Sequence, residues 1–356
     1  MTAFLFPHEW LSDLSSLLLI LIVVVTMAIV IKGADWLVEG AAGIAKVMGM
    51  PEVVIGATIV SLGTTSPEAA VSVLAAWNGQ AGLALGNGVG SIIADTGLIF
   101  GIGCLMTALP ADKFVLSRQG WLQFGSAILL AALCYGLYFM DGDAAQIHRW
   151  IGMVFIALLV AYMLMSMKWA KAHPAGELHI VNKNNGLHHG DRTEERHDVL
   201  FLAGLGLVGL FMVILAGDGL VNSVTILAGR WGIPDVVIAS TLVAFGTSLP
   251  ELVVGITAIR KGHAELLVGN IIGADILNVL FVIGLAAVAM PLPIIEPSAT
   301  YPAVFLIIQL PTMLLMLVMF RLFIFKAVKE GSFSRWMGIP LLVLYVIFVA
   351  AGLVLS

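Results

Sequence analysis

Ten apolar runs of about 20 residues constrain this chain more than any other feature. They fall at 14–33, 53–76, 82–109, 120–140, 149–168, 199–222, 235–259, 264–292, 300–325 and 336–355. A helix rises 1.5 Å per residue, so about 20 apolar residues match the ~30 Å hydrocarbon core of a bilayer. A membrane β-barrel would show alternating segments of about ten residues instead. Composition agrees: 60% of the 356 residues are apolar, 11% are charged and mean hydropathy is +1.05. A soluble domain carries about 25% charged residues. Such a chain cannot cover its own surface in water, which excludes a soluble enzyme, a nucleic-acid binder and a disordered protein. Cys104 and Cys134 lie inside apolar runs and imply neither a disulfide framework nor a metal cluster. The first run is too long for a signal peptide and no small-residue cleavage site follows it, so it reads as a retained helix. The predicted fold class is an all-α membrane protein with ten transmembrane helices.

Basic residues orient these helices. With the N-terminus outside, 15 of the 17 Lys and Arg residues fall on the inner side, and only Arg149 and Arg230 fall outside. The positive-inside rule therefore predicts both termini outside and a cytoplasmic central loop. That loop, 171–198, separates the regions 1–170 and 199–356 and holds His173, His179, His188, His189 and His197. Their spacing matches no zinc site, and Asn184, Asn185 and Gly186 mark a turn, so the segment reads as a solvated linker.

The two halves repeat each other. At an offset of 183 residues, and without a gap, 21 of the 53 positions from Gly49 to Gly101 are identical to their mates. The repeated motifs occupy 56–101 and 239–284. Each half has five spans, an odd number, so the second enters the membrane upside down, the pattern of secondary transporters. Duplication kept for packing alone predicts matches among small and apolar residues. Here Thr64/Thr247, Pro67/Pro250, Glu68/Glu251 and Asn87/Asn270 also match.

Glu68, Asp95, Glu251 and Asp275 sit well inside predicted spans, where a lone carboxylate costs on the order of 2.5–3.5 kcal/mol on insertion scales. No Lys, Arg or His lies in the middle of those spans. Partner-free acids imply a missing cation, either protons or metal ions. The surroundings favour metal ions. In Gly63-Thr64-Thr65-Ser66-Pro67-Glu68 and Gly246-Thr247-Ser248-Leu249-Pro250-Glu251, the proline breaks the helix and strips the donor from the carbonyl four residues back. Carbonyls, hydroxyls and a carboxylate then meet at one depth, a donor set for hard cations such as Ca²⁺. Asn87, Ser91 and Asp95 share one helix face, as do Asn270, Ala274 and Asn278. Asp275 points about 100° from Ala274, so it lines the edge of the cavity or pairs elsewhere. Asp35 and Asp218, after the first and sixth runs, read as capping or hinge residues. Glu52 and Asp235 each follow a proline and read as first-turn acids.

The paired GT(T/S)xPE and GNxxG segments in inverted halves resemble the calcium/cation antiporter superfamily, nearest to its prokaryotic sodium/calcium exchangers. The resemblance covers essentially the whole chain. It implies an antiporter exchanging Na⁺ for Ca²⁺ by alternating access, the first and sixth helices sliding against an eight-helix core. By position, it implies that Glu68 and Glu251 are the central calcium ligands and that Thr64 and Thr247 supply carbonyl and hydroxyl oxygens. Thr65, Ser91 and Ser248 would serve flanking sodium sites with carbonyls near Ser61 and Ala244, and Asp95 and Asn278 would form a matched pair. Three positions depart from the family pattern. Ala274 replaces the serine expected opposite Ser91, the Asn/Asp pair runs Asp95 then Asn278, and Ser66 follows Thr65. Proton-coupled relatives carry an acid where this chain has Gly90 and Gly273, which favours sodium. A proton- or potassium-coupled exchanger is the alternative. The expected setting is a prokaryotic inner membrane, with Ca²⁺, Na⁺ and lipid as the only partners. No cofactor, no nucleic acid, no obligate protein partner and no enzymatic activity is expected. No HExxH, GxGD or intramembrane Ser/His pair points to an intramembrane enzyme, and a two-fold inverted site suits alternating access better than a channel.

Overall fold

The computed structural model describes residues 8–172, 192–231, 248–295 and 304–355. Asp235, Ala244, Gly246 and Thr247, together with linker residues His173, His179, His188 and His189, lie outside the described residues, as does the side chain of His197. The helices are α1 (Ser16–Met48), α2 (Glu52–Thr64), α3 (Ser66–Trp77), α4 (Ala81–Met106), α5 (Lys113–Asp141) and α6 (Arg149–Ala172). In the second half they are α7 (Arg192–Arg230), α8 (Leu249–Arg260), α9 (Ala264–Ala289), α10 (Phe305–Glu330) and α11 (Gly338–Leu355). Among the described residues, eight spans are long and apolar enough to cross a membrane by themselves. The pair α2–α3, bent by 41°, makes a ninth. Helix α8 is the described part of the run at 235–259. The protein is an all-α membrane protein of two inverted five-helix repeats, as the runs predict.

Two tiny antiparallel pairings tie the halves together. β1 (Leu109–Pro110) pairs with β4 (Ser332–Phe333), and β2 (Gln146–Ile147) pairs with β3 (Leu292–Pro293). Leu109 and Leu292 are 183 residues apart, so each pairing joins the end of the third span of one repeat to the start of the fifth span of the other. One span separates β1 from β2, so the two pairings sit at opposite faces of the molecule. An inverted two-fold requires that arrangement.

Helix α1 corrects one expectation. Asp35 does not sit near a helix end, because α1 continues to Met48 and stops only at Gly49, whose φ of 61° makes the left-handed cap. The apolar periodicity persists past Asp35 on one face, through Leu37, Val38, Ala41 and Ala45, all buried. Only the opposite face turns polar. There Lys261, in the turn between α8 and α9, donates to the Asp35 carbonyl at 3.0 Å and lies 3.6 Å from both the Asp35 and Glu39 carboxylates. Asp218 is likewise interior to α7. Glu52 opens α2 as expected and also meets His263 Nδ1 at 2.8 Å. At 33 residues, α1 is about 50 Å long, so it crosses the bilayer tilted or protruding.

Helices α1 and α7 run antiparallel in glycine-to-glycine contact. A Cβ added to Gly33 would stand 2.7 Å from the Gly209 carbonyl oxygen, and one on Gly40 would stand 2.7 Å from the Gly206 nitrogen. Such close backbone approach suits helices without a hydrophobic driving force between them. The centre belongs to α4 and α9. Of their most apolar stretches 72% and 83% is buried, against 17–39% for the other long helices. Those others turn Leu17, Val24, Phe139, Phe211 and Ile347 outward, as lipid contact requires. Gly273 seats α9 against α2: a Cβ there would lie 2.5 Å from the Ala57 carbonyl oxygen and 2.6 Å from Ser61 Oγ.

Candidate functional site

The break in α2–α3 comes from its sequence. Pro67 occupies the first turn of α3, where the missing N–H is harmless, and Thr65 takes the bridging conformation φ −82°, ψ −3°. Glu68 then falls in the first turn of α3. Pro250 places Glu251 identically in the first turn of α8. Both carboxylates thus sit at the positive end of a half-helix inside the membrane. Both are 1% exposed.

From the other side, α4 brings Ser91 and Asp95 and α9 brings Asn270 and Asn278, all buried. Asp95 and Asn278 each begin a π-helical turn, Asp95–Ile99 and Asn278–Ile283. A π-turn inserts one extra residue and re-aims the side chains beside it, a device common at functional sites. A third such turn, Gly56–Val60, lies in α2, and Tyr162 Oη on α6 donates to its Ala57 carbonyl at 2.8 Å.

The two repeats cross over at the centre. Thr65 Oγ1 lies 3.4 Å from Glu251 Oε1, Thr64 Oγ1 lies 3.3 Å from Asn270 Oδ1, and Ser248 Oγ lies 3.5 Å from Ser91 Oγ. These contacts are long for hydroxyl donors, whose usual distance is about 2.7–2.8 Å. Glu68 feels the charges of Glu251 and Asp95, and Asp95 feels those of Glu251 and Asp275. Glu68 Oε2, Glu251 Oε2, Asp95 Oδ1 and Asn278 Oδ1 have no hydrogen-bond partner, and neither does Asn270 Nδ2. An unpaired buried carboxylate costs several kcal/mol, so this geometry calls for a cation. Among the described residues no three acids, His or Cys converge closely enough to hold a metal alone. Hydroxyl, amide and carbonyl oxygens must complete any ligand set.

Two polar residues stand elsewhere than on this ring. Asn87 donates to the Glu68 carbonyl at 3.1 Å and to Ser72 Oγ at 3.0 Å, so it buttresses the first turn of α3. Asp275 pairs sideways: its Oδ2 accepts from Thr96 Oγ1 at 2.7 Å and from Gln123 Nε2 at 2.6 Å. Sequence reasoning passed over Thr96, Gln119, Gln123 and Tyr162. A signal existed for three of these. Gln119 and Gln123 are amides one turn apart in an otherwise apolar run, and Tyr162 has a mate, Tyr345, at the same 183-residue offset.

Comparison with known proteins is consistent with this geometry. The family model described as sodium/calcium exchanger protein matches residues 18–168 and 201–354. The chain is 30% identical over 351 residues to the sodium/calcium exchanger MaX1 of Methanosarcina acetivorans, covering 92% of this chain and 96% of that one. It is 34% identical over 278 residues to the inner membrane protein YrbG of Escherichia coli strain K12, covering 76% and 79% of the two chains. A solved structure of the sodium-calcium exchanger NCX_Mj, soaked with Na⁺ and without Ca²⁺, superposes with a TM-score of 0.76 at 26% identity. It covers 95% of this chain and 99% of that one.

Proposed function

The chain belongs to the sodium/calcium exchanger protein family, and from that premise we propose how it works: as a secondary active antiporter that exchanges Na⁺ for Ca²⁺ by alternating access through the α2–α3, α4, α8 and α9 site. The observation that carries the reading is the set of four orphaned oxygens on Glu68, Glu251, Asp95 and Asn278, contributed equally by the two repeats. Glu68 and Glu251 are the calcium-bearing carboxylates, with oxygens from Thr64 and Thr247. Thr65, Ser91 and Ser248 supply the hydroxyls of flanking sodium positions. Asp95 and Asn278 close the ring.

Coupling follows from charge. Glu68, Glu251 and Asp95 place three negative charges together in a buried site. Empty, the site carries several kcal/mol of uncompensated desolvation for each acid, so the unloaded carrier does not reorient. Loaded with Ca²⁺ or with sodium ions, most of that charge is offset and the barrier falls. Exchange is therefore obligatory. The glycine-lined α1–α7 pair is the element that slides past this core, and Gly63, whose added Cβ would meet Leu210 of α7 at 2.5 Å, couples the two. Regions 1–170 and 199–356 act as the inverted repeats, joined by a cytoplasmic linker at 171–198. The inner-side surplus of Lys and Arg supports both termini outside.

The test is calcium uptake into proteoliposomes under imposed gradients. An outward sodium gradient drives uptake, and removing sodium abolishes it. Equal uptake under a proton or potassium gradient without sodium would overturn sodium coupling.

A further inference from the structure

We propose that Asp275, with Thr96, Gln123 and Gln119, forms a separate subsite beside the central ring that binds one dehydrated alkali-metal cation. The proposal rests on the exchange reading above and adds to it an ion position that the paired motifs do not supply.

Asp275 is 1% exposed and half satisfied. Both of its donors, Thr96 Oγ1 and Gln123 Nε2, reach the same oxygen, Oδ2, at 2.7 and 2.6 Å. Bonds this short are the mark of charge-assisted contact with an ionised carboxylate. The other oxygen, Oδ1, is buried with no partner of either kind. A protonated carboxyl would put an O–H there in need of an acceptor, and none is bonded. An ionised one leaves a bare anionic oxygen, which a cation satisfies. Gln119, one turn from Gln123 on the same face of α5, is also buried, and its Oε1 has no partner either. One unpartnered amide oxygen thus accompanies the bare Oδ1 of the anchored carboxylate.

No protein cation fills the role. Arg321 is the one buried basic side chain among the described residues. Its guanidinium lies over the Trp121 and Phe325 rings and donates to the Leu116 carbonyl. Packing does not explain the polarity, because the repeat mates of Asp275 and Thr96 are Ile92 and Val279. The symmetry-related places Ile92 and Val279 are apolar, whereas Thr96 and Asp275, also one from each repeat, form a bonded hydroxyl–acid pair. One carboxylate with neutral amide and hydroxyl oxygens suits a monovalent ion, whereas Ca²⁺ collects six to eight oxygens and usually several carboxylates. Asp275 also acts electrostatically on Asp95, so an ion beside it relieves repulsion within the ring. In that way Asp275 makes up for Ala274, the adjacent position that lacks a hydroxyl.

The experiment measures two concentration dependences on the full chain in proteoliposomes. One is the sodium concentration that half-activates calcium efflux. The other is the calcium half-saturation of Ca²⁺/Ca²⁺ exchange without sodium. In Asp275→Asn the sodium value rises at least ~5-fold and its slope falls, while the calcium value moves less than about 2-fold. Gln119→Leu, which leaves both bonds to Asp275 in place, shifts sodium in the same direction by a smaller factor and keeps the test valid if the first variant does not fold. Potassium added at fixed sodium separates the two alkali ions: stimulation in the wild type that Asp275→Asn loses identifies potassium as the occupant. Sodium and calcium dependences that move together by one factor, or an unmoved sodium value in both variants with no potassium stimulation lost, would overturn the subsite. So would a calcium-driven proton flux, in vesicles free of sodium and potassium, that disappears in Asp275→Asn. If the wild type itself shows no sodium-driven calcium flux, the exchange reading fails instead, and that result is distinct from all of these.

Discussion

Gly273→Ala tests the coupling between helix packing and the ion site. A Cβ at this position would sit 2.5 Å from the Ala57 carbonyl oxygen, 2.6 Å from Ala57 Cα and 2.6 Å from Ser61 Oγ. A relaxed carbon–oxygen approach is about 3.3 Å, so α9 and α2 must separate locally by roughly 0.8 Å. Neither side yields easily, since the obstacles on α2 are mainly backbone and α9 is the most buried long helix. Over-packing of this kind costs about 1–3 kcal/mol of stability. The displacement also reaches the binding site. Ala57 and Ser61 lie on the same helix as Thr64, whose 3.3 Å approach to Asn270 bridges α2 to α9. Metal–ligand distances tolerate only about 0.2 Å, a quarter of the forced displacement. Calcium half-saturation should therefore rise at least ~10-fold, equivalent to about 1.4 kcal/mol, while the protein still folds. The assay is isotopic calcium exchange in proteoliposomes across a calcium titration, beside a thermal melt of the purified protein. A lowered melting temperature with wild-type calcium half-saturation would refute the claim that this helix pair sets the site geometry. An unchanged melting temperature would refute the close packing itself.

Three further outcomes follow from the same geometry. Glu68→Gln and Glu251→Gln each remove a charge and a ligand from a hard-cation site and should abolish calcium exchange while expression persists. Wild-type exchange rates in both would remove these residues from the site. Asp95→Asn alone should weaken exchange, and the double swap Asp95→Asn with Asn278→Asp should restore much of it, because both positions begin equivalent π-turns and both leave an oxygen without a partner. A double-mutant cycle on transport rate decides this, and additive losses with no rescue would contradict a shared cavity. Tyr162→Phe strips the donor from the Ala57 carbonyl and should cost about 1 kcal/mol of stability, read as a lower melting temperature. No change in melting temperature would mean that this bond does not support the π-turn.

The number of spans, their inverted halves and the four intramembrane acids were legible in the sequence for simple reasons. Bilayer thickness dictates run length, an odd number of spans per repeat dictates inversion, and a carboxylate in hydrocarbon is costly enough to stand out. The bend at Pro67 was legible too, because a missing N–H acts locally. What the tertiary structure decided is who meets whom. Thr65 approaches Glu251 of the opposite repeat. Asn87 shares a face with Ser91 and Asp95 yet bonds the Glu68 carbonyl. Asp275, 100° off the ring by helical geometry, finds its anchor in Gln123 at a separation of 152 residues. Asp35 reads as the end of a run because hydropathy averages the two faces of a helix. The structure separates those faces, burying one and giving the other to Lys261. Periodicity reports how polar a face is and where along the chain it lies. The interlocking of two inverted halves chooses its partners, and apart from Asn87 that choice rests on contacts between residues more than 150 positions apart, which no local spacing records.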